Sequence, residues 1–338
     1  MTLAASPEPQ TDAPQRPNSL GTSIVFGGSG FIGTHLLRKL AGSGADPVIS
    51  VDIRDPKTVI PGVDYRRADV RDLGDFAAPQ PISTIYNLAA VHTTPGHPEH
   101  EYYETNVLGA VEVTAFARRM GVREIVFTSS ISVYGPGEET KSETSPLAPI
   151  SPYGRSKMLA ERIHRAWLDA SPGRRLVIAR PAVIFGPGEG GNFTRMAKLL
   201  KAGMFVYPGR RNTIKACFYV DDLLDAIMFA RTAPDRFVLF NACYPDRYTL
   251  EEIVEAFRAK HFAKAKTFDV PLGLVMAAAQ VARPISAMGL GIHPERVMKL
   301  VRSTDIAPGW LESHNASRRG RIAGALDRWA ESSNGSFT

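Results

Sequence analysis

A tyrosine and a lysine lie four residues apart in the segment SPYGRSK, at Tyr153 and Lys157. Pro152 favours a helix start at this point, and side chains at positions i and i+4 of a helix share one face. A free tyrosine titrates near about 10, and a neighbouring ammonium lowers that pKa because it favours the phenolate. The two side chains could therefore transfer a proton at neutral pH, although the same spacing also occurs on ordinary helix surfaces.

A glycine-rich segment, GGSGFIG, contains Gly27, Gly30 and Gly33 between the apolar run TSIVF and a helical pattern. Glycines at this spacing permit a tight turn, let a pyrophosphate approach the backbone and bring the following helix close to the strand. Asp52 ends the next apolar run, where a carboxylate would accept hydrogen bonds from an adenosine ribose. The pattern predicts a dinucleotide-binding turn.

The choice between NAD and NADP depends on Asp52 and Arg54. The carboxylate repels a 2′-phosphate and so favours NAD, whereas an arginine two residues later could accommodate that phosphate. We expect NAD as the cofactor. A preference for NADP in a cofactor titration would contradict this expectation.

Apolar runs alternate with helical patterns along the chain after its first residues. Near-continuous apolar strands separated by helices predict a parallel sheet that is covered on both faces. We therefore expect an α/β fold, a Rossmann-type doubly wound parallel sheet with a smaller, discontinuous C-terminal substrate-binding region. The strands that support this prediction read TSIVF, ADPVISVD, TIYNLAA, REIVFTSS and RLVIARPAVIFG.

The expected domain organisation has four parts. Residues 1–20 are rich in proline and polar residues and are expected to form a disordered tail. Residues 21–184 are expected to form the dinucleotide-binding domain, and 185–330 mainly a substrate-binding region with some segments that return to the core. The polar residues 331–338 are expected to form a frayed end.

The longest apolar stretch of the chain covers residues 271–290. Gln280, Arg283 and Pro284 interrupt it and would be costly at the centre of a bilayer, so it does not predict a transmembrane helix. A buried or subunit-facing helix is the favoured interpretation, and a peripheral membrane contact is the alternative.

Composition restricts the class of protein further. A hydrophobic content of 44% supports a folded core, and the net charge of +6 is dispersed over 40 basic and 34 acidic residues. The absence of a long basic run argues against nucleic acid as a partner. The chain has only Cys217 and Cys243, which excludes a disulfide framework or a structural zinc site and indicates a reducing, cytoplasmic location. We expect no metal.

Several motifs taken together, in order along the chain, resemble the extended short-chain dehydrogenase/reductases. More narrowly, they resemble the NAD-dependent epimerase/dehydratase group that acts on nucleotide sugars. The resemblance covers residues 23–225, and several motifs in one register are much more specific than any single motif. The motifs are GGSGFIG, ADVRD (68–72), NLAA (87–90), Asn106, FTSSISVYG (127–135), SPYGRSK and RPAVIFGPG.

The resemblance implies a catalytic set and a cofactor site. Tyr153 would be the acid/base, Lys157 would hold the nicotinamide ribose and lower the tyrosine pKa, and Ser130 would hydrogen-bond the reacting oxygen, with Ser129 as the alternative. Asp69 and Val70 resemble the pair that contacts adenine. The cofactor residues implied are Gly27, Gly30, Phe31, Ile32, Gly33, Asp52, Arg54, Asp69, Val70, Leu88, Ala89, Ala90, Asn106, Tyr153, Lys157 and Pro181.

The reaction implied by the resemblance is epimerisation of a nucleotide sugar, with C4 of a UDP-hexose as the expected site of reaction. Dehydratases of the group carry an Asp-Glu pair directly after the active-site Ser or Thr, and this chain has Ile131 and Ser132 there. Neither residue can act as a carboxyl acid/base, so dehydration is disfavoured. Transient oxidation of the sugar and return of the hydride to the opposite face need only the Ser, Tyr and Lys set with bound NAD.

Two positions depart from the usual sugar-nucleotide pattern. Val183 replaces an asparagine after the Arg-Pro strand, and Lys215 replaces an arginine before the VDD segment. A lysine can meet a diphosphate as a point charge, without the bidentate fork of arginine. The substrate-binding residues expected are Ser130, Asn192, Arg195, Arg211 and Lys215.

Two other functions remain open at this stage. One is an NAD(P)-dependent dehydrogenase or reductase of a keto-sugar or a hydroxysteroid-like alcohol, and the other is a non-catalytic dinucleotide-binding protein. The resemblance also implies a homodimer, in which YYETNVLGAVEVTAFARRM and GRSKMLAERIHRAWL form the interface.

Overall fold

The computed structural model describes residues 21–44, 46–78, 81–93, 96–281 and 301–338, without the side chains of 278–281. The strands are β1 (Thr22–Phe26), β2 (Val48–Asp52), β3 (Val63–Arg67), β4 (Ile82–Asn87), β5 (Glu124–Thr128), β6 (Gly137–Lys141), β7 (Arg175–Pro181), β8 (Val183–Phe185), β9 (Met204–Pro208), β10 (Cys217–Tyr219), β11 (Phe237–Ala242), β12 (Lys266–Val270) and β13 (Thr304–Ile306). The tail expected at residues 1–20 lies outside the described residues.

The helices alternate with the strands through the first half of the chain. They are α1 (Phe31–Ser43), α2 (Glu99–Tyr103), a π-helical turn (Glu104–Leu108), α3 (Gly109–Arg119), a short 3-10 helix (Ile131–Tyr134), α4 (Pro152–Asp169), α5 (Asn192–Lys201), α6 (Val220–Thr232), α7 (Leu250–Lys260), α8 (Leu272–Val281), α9 (Gly309–Ser313) and α10 (Ile322–Ser332).

Seven parallel strands form the central sheet, in the order β11-β7-β5-β4-β1-β2-β3. The strand order reverses between β1 and β4, and ligands of such sheets bind beside the carboxyl ends of the strands at that reversal. The doubly wound α/β fold predicted from the sequence is confirmed. Strand β11, from the C-terminal half, joins the sheet beside β7.

The core lies on both faces of this sheet because successive side chains of a strand point in opposite directions. On β1, Val25 belongs to the cluster that includes residues of α1 and α6, whereas Ile24 belongs to the cluster that includes residues of α3 and α4. Residues that point to either face of a central strand must therefore be apolar. This requirement explains the near-continuous apolar runs in the sequence.

The C-terminal half adds three two-stranded parallel pairs, β8 with β10, β9 with β12 and β6 with β13. The end of the chain differs from the expectation of a frayed segment at 331–338. Phe337 is buried, and its ring lies within 5.4 Å of the rings of Phe257 and Trp329. The sequence of 331–338 is polar apart from Phe337 and does not predict this packing, because it depends on how distant segments such as the one with Phe257 fold together.

The apolar stretch 271–290 begins as α8, and 282–290 lie outside the described residues. None of the α8 side chains described, 272–277, is buried. The prediction that this stretch forms a buried helix is therefore wrong for residues 272–277. Within the described residues, no helix is long and apolar enough to cross a membrane.

Candidate functional site

The turn between β1 and α1 lies directly against the residues that follow β4. Gly27 has a φ of +81°, and a Cβ added there would lie 2.7 Å from the Ala89 nitrogen. The Leu88 N–H donates to the Phe26 carbonyl at 2.9 Å, which extends the β1–β4 pairing into this loop. Only glycine fits at position 27, because a side chain there would collide with the neighbouring backbone.

Helix α1 starts at the same place, and the first backbone N–H groups of a helix have no partner within the helix. Gly30 is the N-cap, and the first turn, which contains Phe31, Ile32 and Gly33, has no acidic residue. A Cβ on Gly33 would lie 2.3 Å from the Gly27 carbonyl oxygen, so this glycine allows helix and turn to touch. Unpaired N–H groups and the helix dipole make such a terminus suited to a pyrophosphate.

Asp52 occupies the end of β2 as predicted from the sequence. Its carboxylate accepts hydrogen bonds from the backbone N–H groups of Ser29 at 3.1 Å and Arg54 at 3.0 Å. The Arg54 side chain is 72% exposed, and its Nε lies 3.8 Å from the carboxylate. A cavity of about 100 Å³ beside Asp52 is also lined by Ser50 and Arg67. The carboxylate is thus oriented by the glycine turn, whereas the Arg54 guanidinium extends into solvent.

Asp69 and Val70 follow β3 but have different surroundings. The Arg71 guanidinium binds both oxygens of Asp69, at 3.0 and 2.6 Å, and this hydrogen bonding lowers the pKa of Asp69. Val70 is buried, and a Cβ on Gly109 of α3 would lie 3.1 Å from its side chain. Val70 therefore has a packing role in addition to the predicted adenine contact.

Asn106 connects three elements behind the tyrosine. It lies in the π-helical turn, where its side chain accepts from the Val91 N–H at 3.0 Å and donates to the Val91 carbonyl at 3.0 Å. It also donates to the Ser156 hydroxyl at 2.8 Å, and that hydroxyl donates to the Tyr153 carbonyl at 2.9 Å. Asn106 therefore joins the loop after β4, which contains Ala89 and Ala90, to the first turn of α4.

Lys157 is almost fully buried below that turn. Helix α4 begins at Pro152, and its N-cap, Ser151, accepts from the Gly154 N–H at 3.0 Å. The Lys157 ammonium donates to the Thr128 carbonyl at 2.8 Å. Burial lowers the pKa of Lys157 to about 7, and the Glu161 carboxylate opposes that effect. The ammonium thus lies where β5 ends, one helical turn below Tyr153.

Tyr153 and Ser130 come together at the same edge of the sheet. Burial raises the pKa of Tyr153 to about 12, and a hydrogen bond with the Ser130 side chain opposes the rise. The Ser130 hydroxyl also accepts from the Ser132 N–H at 3.1 Å. The buried Ser129 hydroxyl has no hydrogen-bond partner among the described residues. The predicted lowering of the Tyr153 pKa by Lys157 stays a prediction.

A buried polar network behind these residues was not found from the sequence. Arg180 binds the Glu161 carboxylate through two hydrogen bonds, at 2.9 and 2.7 Å, and donates to the Tyr134 hydroxyl at 2.8 Å. That hydroxyl donates to Asn241 at 2.7 Å. Glu161 lies four residues after Lys157, and this spacing on one helix face was the only sequence pattern that could have indicated a charged partner near the lysine. The network joins α4 to the 3-10 helix that follows Ser130.

Two of the basic side chains expected to bind substrate, Arg211 and Lys215, are hydrogen-bonded to other groups of the chain. Arg211 donates to Asp269 at 2.6 Å and to Glu251 at 3.0 Å, and these hydrogen bonds raise its pKa. Lys215 is buried, donates to the Arg302 carbonyl, and has a pKa lowered to about 7 by burial. The structure therefore does not leave these two side chains projecting together into an open site.

The remaining predicted residues lie on three different elements. Asn192 and Arg195 are exposed on the first turn of α5, Pro181 ends β7, and Val183 begins β8. Among the described residues, no group of three or more His, Cys, Asp or Glu side chains is placed to hold a metal ion. A substrate role for Asn192 and Arg195 stays a prediction.

The family model described as NAD dependent epimerase/dehydratase family matches residues 23–243, more than half of the chain. One curated relative is the N-acetyl-alpha-D-glucosaminyl-diphospho-ditrans,octacis-undecaprenol 4-epimerase of Escherichia coli O157:H7, 34% identical over 61% of this chain and 62% of its own. Another is the UDP-glucose 4-epimerase of Lactobacillus helveticus, 29% identical over 50% of this chain and 53% of its own. The matches thus span between half and two thirds of these relatives.

A solved structure with a similar fold is MoeE5 in complex with UDP-glucuronic acid and NAD. It aligns with a TM-score of 0.70 and 24% identity, covering 93% of this chain and 100% of that chain. At this level of identity the likeness shows the fold. The similarity extends through the C-terminal half as well as the sheet.

Proposed function

Because the chain belongs to the NAD dependent epimerase/dehydratase family, we propose that it binds NAD and epimerises C4 of a nucleotide sugar, a UDP-hexose. The observation that carries the proposal is the meeting of Tyr153 and Ser130 above the buried Lys157, at the sheet edge that also holds the glycine turn. The position of Tyr153 beside the ends of β1, β4 and β5, where dinucleotides bind in such sheets, supports a role as proton donor and acceptor.

In the proposed reaction the Tyr153 phenolate removes the proton from the C4 hydroxyl while hydride leaves C4. The glycine turn, Asp52 and Lys157 would hold NAD, which would supply both the acceptor and the donor of the hydride, so no net oxidation would occur. Ser130 hydrogen-bonds the C4 oxygen in both directions, and Tyr153 returns the proton. Lys157, one helical turn below Tyr153, would hold the nicotinamide ribose and favour the phenolate through its positive charge.

Water elimination is disfavoured by the residues that follow Ser130. Ile131 and Ser132 form the first turn of the 3-10 helix, and Ser132 binds the Ser130 hydroxyl through its own N–H and hydroxyl. Neither side chain is a carboxyl acid that could protonate a leaving hydroxyl. Epimerisation requires no further acid.

A second candidate substrate differs in the carrier of the sugar. One relative acts on a sugar attached through a diphosphate to undecaprenol. The exposed apolar helix α8 favours this candidate, because a polyprenyl substrate brings its enzyme to a lipid surface. The chemistry at C4 would be the same for both carriers.

We also propose a homodimer formed through α3 and α4. Leu108, the last residue of the π-helical turn, and Val111 of α3 are 43% and 42% exposed. Such side chains are suited to a helix-to-helix contact between two copies. A dimer mass by light scattering that Val111→Asp reduces to a monomer is the expected result, and a monomeric wild-type protein would contradict the proposal.

The test is product analysis of the purified protein with UDP-glucose, UDP-N-acetylglucosamine and undecaprenyl-diphospho-N-acetylglucosamine, without added cofactor. Conversion of one of these to its C4 epimer is expected. Stoichiometric consumption of added NAD(H) or NADP(H) would instead indicate a dehydrogenase or reductase.

The matched variant is Tyr153→Phe, which keeps the ring and removes the hydroxyl. It should retain NAD, measured by mass spectrometry of the released cofactor, and lose turnover. NAD binding without turnover by the wild-type protein on any alcohol or keto substrate would favour the non-catalytic interpretation.

A further inference from the structure

Helix α8 is uncharged and apolar from Leu272 to Ala277, yet the described protein does not cover these residues. Its sequence, LGLVMAAAQV, contains no charged residue. Leu274 is 64% exposed, and none of its neighbours from Leu272 to Ala277 is buried. A helix that is hydrophobic all round is usually buried, so α8 requires a further apolar environment.

The β9–β12 pair continues this exposed apolar surface. Met204 and Val206 are 51% and 37% exposed and alternate with buried residues along β9, so both point outward. Phe268 is paired with Val206 across the two strands and is 45% exposed. A Cβ on Gly209 would lie 3.2 Å from the Leu272 side chain, so α8 starts against the end of β9.

We call this surface the apolar face and define it by residues of β9, β12 and α8. Several lysines rim it and are exposed. In the described parts of the chain none of them forms an ion pair. The face comprises Met204, Val206, Phe268, Leu272 and Leu274, and its rim comprises Lys198, Lys201, Lys264 and Lys266.

Among the described residues, the exposed charges at the start of the β9–β12 pair are lysines. The Lys266 N–H donates to the Gly203 carbonyl at 2.9 Å, which brings Lys201 and Lys266 to the same end of the strand pair. Asp269 alternates with Phe268 and so points to the other side, where Arg211 binds it at 2.6 Å. Unpaired lysines beside apolar side chains complement a surface that is both apolar and anionic.

We infer that the apolar face binds the surface of an anionic phospholipid membrane. Apolar side chains enter the boundary between headgroups and acyl chains, while lysine ammoniums attract anionic headgroups. A second copy of this chain would bring the same lysines together, and their like charges would repel. The inference does not depend on the proposed reaction, because lipid binding requires neither NAD nor a sugar.

The test is flotation of the full chain with vesicles of phosphatidylcholine, with or without phosphatidylglycerol. Binding to the anionic vesicles, weakened by added salt, is expected. The double variant with Phe268→Asp and Leu274→Asp should reduce the bound fraction more than about tenfold. Replacing Lys201 and Lys266 by Gln should reduce it by about fivefold for each lysine.

Val59→Asp is the matched control, because Val59 is 70% exposed but lies far from this face in the chain. It should bind vesicles as the wild-type protein does, and circular dichroism checks that every variant is folded. Absence of wild-type flotation would overturn the inference, as would equal binding by the double variant. A change from dimer to monomer in that variant without any lipid binding would assign the face to a second copy and also overturn it.

Discussion

Lys157 and Lys215 are buried in different halves of the molecule and have similar local surroundings. Each ammonium donates to a backbone carbonyl, of Thr128 and Arg302 respectively, and burial lowers the pKa of each lysine to about 7. Lys157 lies one turn after Tyr153 at the carboxyl edge of the sheet, whereas Lys215 joins β10 to the segment before β13. A lowered pKa alone therefore does not identify a catalytic group; its position in the fold does.

The other charged groups also differ between the two halves of the molecule. In the sheet half, α1 begins at the glycine turn without an acidic residue in its first turn, and Asp52 is oriented at the strand end. In the C-terminal half, Arg211 binds two carboxylates and Arg210 binds Glu138. Cations counted from the sequence in that half are largely used to hold it together, so they are poor predictors of a diphosphate site.

The largest expected effect is on turnover. Lys157→Met should lower kcat by about 10²- to 10⁴-fold, because it removes the ammonium beside the acid/base. Lys215→Met should lower kcat far less, since its partner is a carbonyl in the C-terminal region. Epimerase assays under saturating substrate measure both. An equal loss of kcat in the two variants would instead support the predicted role of Lys215 in substrate binding.

The next effect concerns the buried ion pair behind the site. Glu161→Gln should lower the free energy of unfolding by about 3–5 kcal/mol, because Arg180 would remain buried without its carboxylate. Adding Arg180→Met to that variant should restore much of the loss. Urea unfolding monitored by circular dichroism measures both variants.

By contrast, Arg211→Gln should change stability much less, because the Arg211–Asp269 pair is solvent-exposed. A stable Glu161→Gln variant would contradict the structural role of the network.

The third effect is the pH dependence of stability. A lysine with a folded pKa near 7 and an unfolded pKa near about 10.4 binds fewer protons when folded, so stability should rise with pH across that window. Each buried lysine contributes a slope of up to about 1.4 kcal/mol per pH unit. Lys215→Met should remove one such contribution in urea unfolding between pH 7 and about 10. An unchanged slope would mean that Lys215 keeps its charge when buried.

The smallest effect is at the adenosine end of the cofactor site. Arg54 is 72% exposed, so Arg54→Ala should change the dissociation constant of NAD by less than about threefold. Asp52→Asn should weaken NAD more, because the carboxylate is already oriented by two backbone N–H groups. Fluorescence titration with NAD and NADP compares the two. A larger effect for Arg54 than for Asp52 would indicate that the arginine contacts the cofactor.

Local sequence patterns predicted much of the fold and the positions of the glycine turn and the start of α4. The helix start at Pro152 and the glycine turn depend on residues that are close in sequence, and both were found in place. The π-helical turn around Asn106 interrupts what reads as one helix, and periodicity does not reveal it. Strand β3 was also missed, because its exposed side chains alternate without a continuous apolar run.

The sequence by itself determined the parallel sheet and the order of its motifs, because apolar strands and glycine turns are specified by neighbouring residues. Only the tertiary structure decided which charges have partners. Arg180 and Glu161 meet across 19 positions, Arg211 and Asp269 across 58, and Lys215 and Arg302 across 87. Such contacts depend on how distant segments pack, so no local pattern distinguishes an available cation from one already bound.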